Sequence, residues 1–319
     1  MKNKYFFLYI AFSVLFSLKF STEMLAQNFK NAQEYNNYII LQQAKITQKS
    51  LQYVSTSVHS EDVFKIEKRR DDVIKQIDVS LANVKKMPDF NGDKRFRDET
   101  IDVLTLSRNT YNVDFKDANS LLAKRNDSYE NLQKYYQAQD KAEKKVNEAM
   151  EDMKKAQTRF AERNKMQIMT AEKKDSPFDV IGRLNAYTRQ IELAIFRPKK
   201  NNDIFMKAIG DKKATENQRK NIITEAETAL STLKMMPAFK EDPSYRDKAI
   251  EMVTFYKDFA TKEGATMLEV STKKEINKYD VDSFNAAIKL YNEKSNKIIN
   301  EYNAVSAKIA RENIPNVSE

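Results

Sequence analysis

The most regular pattern of apolar positions lies near the carboxyl end of the chain. Small or apolar residues recur there at alternating spacings of four and three: Phe284, Ile288, Tyr291, Ser295, Ile298, Tyr302, Val305 and Ile309. A repeat of 3.5 residues is typical of helices that pack in a left-handed, coiled-coil-like manner. The pattern therefore predicts one long helix whose apolar stripe faces neighbouring helices.

The same stripe occurs 149 residues earlier, between Tyr135 and Phe160. A Met-Pro-x-Phe motif also recurs at this offset, as Met87–Phe90 and Met236–Phe239. Other pairs at the same offset are Asn36 and Asn185, Tyr38 and Tyr187, Arg70 and Arg219, Arg97-Asp98 and Arg246-Asp247, and Ile101 and Ile250. Because one offset covers almost the whole chain after residue 26, the sequence predicts an internal duplication, and each copy has the size of a domain.

Each copy is expected to form four helices. Proline cannot continue a helix interior, so the second helix should end at Pro88 and at Pro237. The same argument ends the first helix of copy two at Pro198, with a loop at Lys199–Asn202. The expected ranges for the first two helices are 31–58 and 61–87 in copy one, and 177–196 and 214–236 in copy two. The third helix should begin at Asp93 and at Asp242, and the fourth carries the stripe described above.

Composition supports an all-α fold. The chain of 319 residues has only 4 Gly and 6 Pro, whereas β-sandwiches and doubly wound α/β folds need these residues at many turns. Apolar residues make up 41%, enough to line one face of each helix, so global disorder is not expected. We therefore predict two tandem up-and-down helical bundles with coiled-coil-like packing.

The amino terminus has the layout of a secretory signal peptide. Lys2 and Lys4 precede an apolar run from Tyr5 to Leu18, and the small residue Ala26 follows. Fourteen helical residues span about 21 Å, less than the roughly 30 Å of a bilayer core, so cleavage after Ala26 is favoured over a permanent anchor. The absence of cysteine excludes a lipid-anchored lipoprotein. The expected organisation is a signal peptide over 1–26, copy one over 27–172 and copy two over 173–319.

Candidate chemistry is scarce. With no cysteine, disulfides, thiolate metal sites and cysteine nucleophiles are excluded. The single histidine, His59, stands at the turn between the first two helices, where an exposed side chain is the expectation; the equivalent position of copy two is Ala208. No His pair with metal-ligand spacing, phosphate-binding glycine loop or serine nucleophile motif occurs. The sequence thus predicts no catalytic, cofactor-binding or metal-binding residues, and no enzyme.

Two repeated motifs allow both a structural and a functional interpretation. The Met-Pro-x-Phe corners are either helix ends folded back on the bundle or exposed recognition corners, and we favour the structural role because Met and Phe favour burial. The pairs Arg97-Asp98 and Arg246-Asp247 are either an anion site or a surface pair in the first turn of the third helix. The surface pair is favoured, since no other polar motif converges there in the sequence.

The basic character of the chain raises the question of nucleic acid. The net charge is +9, and removal of residues 1–26, which contain three lysines and one glutamate, leaves +7. The lysines of the fourth helix, such as Lys144 and Lys154, alternate with Glu148 and Glu151, as on a solvated helix face. A nucleic-acid binder concentrates unopposed positive charge on one side. Nucleic acid is therefore not an expected partner.

The combined layout resembles uncharacterised helical surface-protein families of spirochaete and Bacteroidota-type genomes. The features that carry the resemblance are the signal peptide, the Met-Pro-x-Phe corners and the duplication. The resemblance implies a periplasmic, surface or secreted location and supplies no catalytic residues. Many such proteins are lipoproteins, and this chain differs because it has no cysteine.

Three functions remain open at this point. The first is a binding or scaffold module that contacts a protein or an envelope component, with no membrane span after cleavage. The second is a cationic binder of acidic envelope polymer or anionic lipid. The third is an enzyme that uses carboxylates alone. Partner and oligomeric state are not indicated by the sequence.

Overall fold

A computed structural model describes residues 29–60, 62–167 and 176–314. These ranges contain two isolated β-bridges but no strand, and the rest of their regular structure is helical, so the predicted all-α fold is confirmed. The α-helices are α1 (Ala32–His59), α2 (Val63–Lys85), α3 (Arg95–Asn109), α4 (Phe115–Leu121), α5 (Tyr129–Arg163), α6 (Pro177–Gly210), α7 (Glu216–Met235), α8 (Ser244–Thr261), α9 (Glu263–Thr272) and α10 (Lys278–Asn313). The predicted signal peptide lies outside the described residues.

The chain divides into two compact units. Unit 1 contains the described parts of Met1–Ala123 and Lys134–Ser176, and unit 2 contains Lys124–Gln133 and Pro177–Ile314. The segment Lys124–Gln133, which the sequence placed in copy one, therefore belongs to unit 2. It is held there by Tyr129, whose ring meets Phe196 edge-on at 6.2 Å and lies under the guanidinium of Arg197 at 4.3 Å.

The core of unit 1 is rich in aromatic rings at one end. Tyr35, Phe90, Phe96 and Phe160 are all buried, and their ring centroids lie 4.7–6.4 Å apart. In unit 2 the corresponding end contains Tyr187 against Phe239 and Tyr245 against Tyr302. Each such ring buries a large apolar area, and edge-to-face or offset contacts add to its contribution.

The tyrosine of α1 that corresponds to Tyr187 of α6 in the structure is not the one that the offset of 149 predicts. Tyr35 contacts Phe90 at 5.3 Å, and Tyr187 contacts Phe239 at 5.4 Å. These two tyrosines are 152 residues apart, whereas the pairing at 149 matched Tyr187 with Tyr38. A shift of three residues is close to one helical turn, so the same face of the helix still points inward.

The Met-Pro-x-Phe corners are structural, as expected. Phe90 and Phe239 are buried, and each exchanges backbone hydrogen bonds with an aspartate three residues later, Asp93 or Asp242. The tight reversal in unit 1 needs positive φ at Gly92, which glycine adopts without steric cost. The motif therefore ends the second helix and brings a ring back onto the core.

The arginines after each corner have a role that sequence reasoning missed. Arg97 Nη1 donates to the carbonyl of Met87 at 3.0 Å, and Arg246 Nη1 donates to the carbonyl of Met236 at 2.8 Å. Each arginine also pairs with the aspartate that follows it. The expected local pair is thus present, but the guanidinium also binds a carbonyl at the end of the second helix, which has no partner within that helix.

The predicted end of the first helix in copy two is wrong. α6 continues through Pro198 to Gly210, and the predicted loop at Lys199–Asn202 is helical. The reason is tertiary packing: Phe205 and Ile209 beyond the proline are buried in unit 2. Burying these side chains outweighs the loss of one helical hydrogen bond at Pro198.

The bounds predicted for the other helices are confirmed within a few residues, but the expectation of four helices per copy is wrong, because a further α-helix follows the third helix in each unit, α4 in unit 1 and α9 in unit 2. Thr215 and Gln218 form the expected capping box at the start of α7. Every position of the two stripes, Tyr135–Phe160 and Phe284–Ile309, is buried or half-buried on α5 or α10. Within the described ranges, no helix is long and apolar enough to cross a membrane.

Candidate functional site

The third helix of each unit is interrupted, and charged and aromatic side chains lie beside each interruption. In unit 1, α3 leads into one π-helical segment, Thr110–Asp114, before α4. In unit 2, α8 ends at Thr261 and α9 begins at Glu263, with Lys262 in a non-helical conformation between them. Local departures from α-helical geometry are frequent at functional sites.

An arginine of the second helix binds each interruption. Arg70 Nη1 donates to the carbonyl of Tyr111 at 3.0 Å, and Arg219 Nη1 donates to the carbonyl of Ala260 at 2.7 Å. Both the donors and the acceptors are 149 residues apart. A glutamate three residues before each arginine, Glu67 or Glu216, holds the guanidinium. Each arginine thus contacts a backbone carbonyl at the place where the third helix departs from regular α-helical geometry.

Glycine permits the close packing at the start of α9. A Cβ on Gly264 would lie 3.1 Å from the carbonyl oxygen of Phe259 and 3.3 Å from the ring of Phe205. Any larger residue would push α9 away from α8 and α6. The first residues of α9, including Glu263, are therefore held close to the end of α8.

A small cavity of about 60 Å³ lies beside this break. One wall is formed by the rings of Phe255, Phe259 and Tyr291. The centroid of the Tyr291 ring is 4.6 Å from that of Phe259 and 5.8 Å from that of Phe255. A buried water needs about 10–15 Å³ of such volume, so the cavity accommodates a few waters or one small polar molecule.

The hydroxyl group of Tyr291 is hydrogen-bonded to Asn202 of α6. Asn202 Nδ2 donates to the Tyr291 hydroxyl at 2.7 Å. Burial raises the pKa of Tyr291, although this hydrogen bond acts in the opposite direction. Asn202 is fully buried, and its Oδ1 has no hydrogen-bond partner within the described ranges. Leaving a buried carbonyl oxygen without a hydrogen bond costs free energy.

The mouth of the cavity has two charges of each sign. Asp258 and Glu263 contribute carboxylates, and Lys262 and Lys294 contribute ammonium groups. Among the residues that the structure describes, none forms a side-chain ion pair with Glu263. The carboxylate of Glu263 is half-buried, whereas both lysines are exposed.

The equivalent acidic residue in unit 1 is paired with lysines. Asp114, 149 residues before Glu263, is buried and accepts hydrogen bonds from Lys145 Nζ at 2.7 and 2.8 Å. Lys141 Nζ lies 3.3 Å from the same carboxylate. Burial alone would raise the pKa of Asp114, but the two lysines outweigh it and hold the pKa below its ordinary value.

Two substitutions at the 149-residue offset distinguish the site in unit 2 from its equivalent in unit 1. Lys145 corresponds to Lys294, but Lys141 corresponds to Leu290. Ala142 corresponds to Tyr291, whose ring forms part of the wall. Unit 2 therefore keeps the acidic residue and one lysine, while the second ammonium is replaced by an apolar side chain.

Sequence reasoning identified no site residues, and of the patterns that it considered only the apolar stripe reaches this cavity, through Tyr291. His59 is exposed at the last residue of α1. No group of three or more potential metal ligands occurs in the parts of the chain that the structure describes. The signal that could have found the cavity is the difference between copies at Lys141 and Leu290, and at Ala142 and Tyr291.

Comparison with known proteins supplies no relative. No family model, no curated protein and no solved structure matches the chain.

Proposed function

We propose that the chain is an exported, non-enzymatic binding or scaffold protein of the periplasm, cell surface or extracellular medium. The export part rests on the predicted signal peptide at 1–26. The proposed binding role rests on the contacts that the charged side chains of the two units make within the protein. The proposed partner is a protein or an envelope component.

The observation that carries the proposal is that the buried charges are engaged in contacts within the protein. Arg70 is bound to a carbonyl and a glutamate, Asp114 to two lysines, and Asp280 to Lys273. A general acid or base needs a pKa near the working pH and access to substrate. The neighbouring lysines hold the pKa values of Asp114 and Asp280 below their ordinary value, and both carboxylates are buried. The cavity in unit 2, in contrast, offers aromatic rings and charged side chains to a ligand.

A second function, adhesion to acidic envelope polymer through lysines, has one supporting observation in the net charge of +7 after removal of residues 1–26. Many of these lysines already neighbour acidic side chains one turn away, as in Lys144–Glu148, Lys289–Glu293 and Lys308–Glu312. Such pairing disperses the charge over the surface, so we favour a specific contact over general adhesion.

Retention on envelope material tests the proposal. Purified protein 27–319 is incubated with envelope fractions of the organism that encodes it, at increasing protein concentration and at two salt concentrations. We expect saturable retention that persists at about 0.5 M NaCl, where screening removes contacts between exposed charges. Protease treatment of the envelope shows whether the partner is a protein.

Other outcomes reject the proposal in distinct ways. Retention that disappears at high salt and does not saturate indicates the cationic binder. Absence of retention, together with release of soluble products from the envelope, indicates an enzyme. A matched negative control is provided by a bundle-forming protein of similar net charge.

A further inference from the structure

The aromatic cavity in unit 2 is charge-balanced at its mouth, and this balance indicates the chemistry of its ligand. We propose that the cavity binds a small zwitterion with an ammonium and a carboxylate group, such as a free amino acid. The proposal rests on the binding function above and deepens it by giving a ligand class to one site.

The ammonium group of the ligand is assigned to Glu263. In unit 1 the equivalent carboxylate, Asp114, is neutralised by the ammonium groups of Lys141 and Lys145. In unit 2 the first of these lysines is replaced by Leu290, and Glu263 has no ion-pair partner in the described ranges. A ligand ammonium would supply to Glu263 the contact that Lys141 supplies to Asp114.

The aromatic wall favours the same group. The rings of Phe255, Phe259 and Tyr291 line the cavity, and a cation within about 6 Å of a ring face is attracted by the ring quadrupole. The Tyr291 ring is held in place because its hydroxyl accepts a hydrogen bond from the buried Asn202. A wall that is fixed before binding loses little conformational entropy when the ligand enters.

The carboxylate group of the ligand is assigned to Lys294 and Lys262. Both side chains lie at the mouth and are exposed, so their ammonium groups can approach a bound anion. A ligand with an ammonium alone would meet repulsion from these lysines, and one with a carboxylate alone would meet repulsion from Glu263 and Asp258. A zwitterion avoids both penalties.

The size of the cavity limits the ligand to a small molecule. Its volume of about 60 Å³ is far below the roughly 300–1,000 Å³ of sites for drug-sized ligands. Alanine, with six non-hydrogen atoms, is therefore a suitable probe.

Saturation-transfer NMR on the protein 27–319 tests the assignment with three probes. Free alanine has both charges, alaninamide has only the ammonium, and N-acetylalanine has only the carboxylate. We expect alanine to bind at least about tenfold more tightly than either blocked form, a difference of about 1.4 kcal/mol. Equal binding of alanine and either blocked form overturns the proposal, as does absence of transfer to all three probes.

Variants at the mouth locate the site. Glu263→Gln should weaken alanine binding about tenfold or more, whereas Glu275→Gln, an exposed glutamate outside the cavity, should leave it unchanged. Lys294→Gln and its exposed control Lys274→Gln form a second pair, which guards against misfolding of the first variant. Unchanged binding in both mouth variants overturns the proposal. Retention on envelope is measured without added amino acid, so its outcome is independent of this one.

Discussion

At the level of single residues, arginine side chains donate hydrogen bonds to backbone carbonyl groups where the helices of the two units end or are interrupted. Arg70 and Arg219 each bind the carbonyl group at the interruption of the third helix, and Arg97 and Arg246 each bind the end of the second helix. These arginines were visible in the sequence as matched pairs. Their acceptors were not, because a backbone carbonyl leaves no signal in residue identity.

The Met-Pro-x-Phe corner of unit 1 yields a prediction on stability. Phe90 is buried against Tyr35 and Phe160, so Phe90→Ala should lower the free energy of unfolding by about 3 kcal/mol or more. Urea denaturation measures the change. The matched control is Phe64→Ala, because the side chain of Phe64 is 90% exposed and its removal should have an effect within about 0.5 kcal/mol. Similar stability of the two variants would contradict the packing of Phe90 against Tyr35 and Phe160.

The carboxylate of Asp114 yields a prediction on acid stability. Folding lowers its pKa below the ordinary 3.8, so its stabilising contribution is present above that value and is lost as the pH falls through the folded-state pKa. The loss of stability between pH 7 and pH 3 should therefore be smaller in Asp114→Asn than in the wild type. Urea denaturation at both pH values measures it. The exposed Asp117→Asn should behave like the wild type, and an unchanged pH dependence in Asp114→Asn would contradict the contact.

At the scale of elements, local signals predicted most helix ends. Thr215 and Gln218 mark the start of α7, and Pro88 and Pro237 lie just beyond α2 and α7. Pro198 was read by the same rule and is in a helix interior. The rule considers only the local cost of proline in a helix. The helix continues past Pro198 because the residues that follow it are buried by tertiary packing.

The interruptions of the third helix could not be predicted from periodicity. Apolar positions continue through both of them, and the break in unit 2 depends on the close approach of Gly264 to Phe259 and Phe205. The cavity depends on this break and on Tyr291, which the sequence placed correctly in the apolar stripe. A stripe position indicates which side of a helix faces inward, but it does not indicate whether the space beyond is filled.

The interior proline of α6 yields a prediction at this scale. Pro198→Ala restores a backbone donor within a helix, so it should raise the free energy of unfolding by about 1–3 kcal/mol, measured by urea denaturation. Pro237→Ala is the control, because Pro237 is exposed outside the helices and its replacement should give no gain. A loss of stability in Pro198→Ala would show that packing of the buried ring outweighs the missing hydrogen bond.

At the scale of the whole molecule, several contacts recur at the offset of 149. They are the bridges at Phe90 and Phe239, the arginine contacts to the second-helix ends, and the arginine contacts to the third-helix interruptions. These contacts agree with the predicted duplication, which stays a prediction about the origin of the chain. The two units differ at one equivalent place: Asp114 is paired with Lys141 and Lys145 in unit 1, whereas Glu263 borders a cavity in unit 2.

The proposed function requires export, because the proposed partner lies outside the cytoplasm. The most direct measurement is the intact mass and cellular fraction of the chain produced at full length in the organism that encodes it. We expect an exported species that has lost about 26 residues, as signal-peptide cleavage requires. A species that keeps residues 1–26 and stays in the cytoplasm would contradict both the predicted signal peptide and the proposed function.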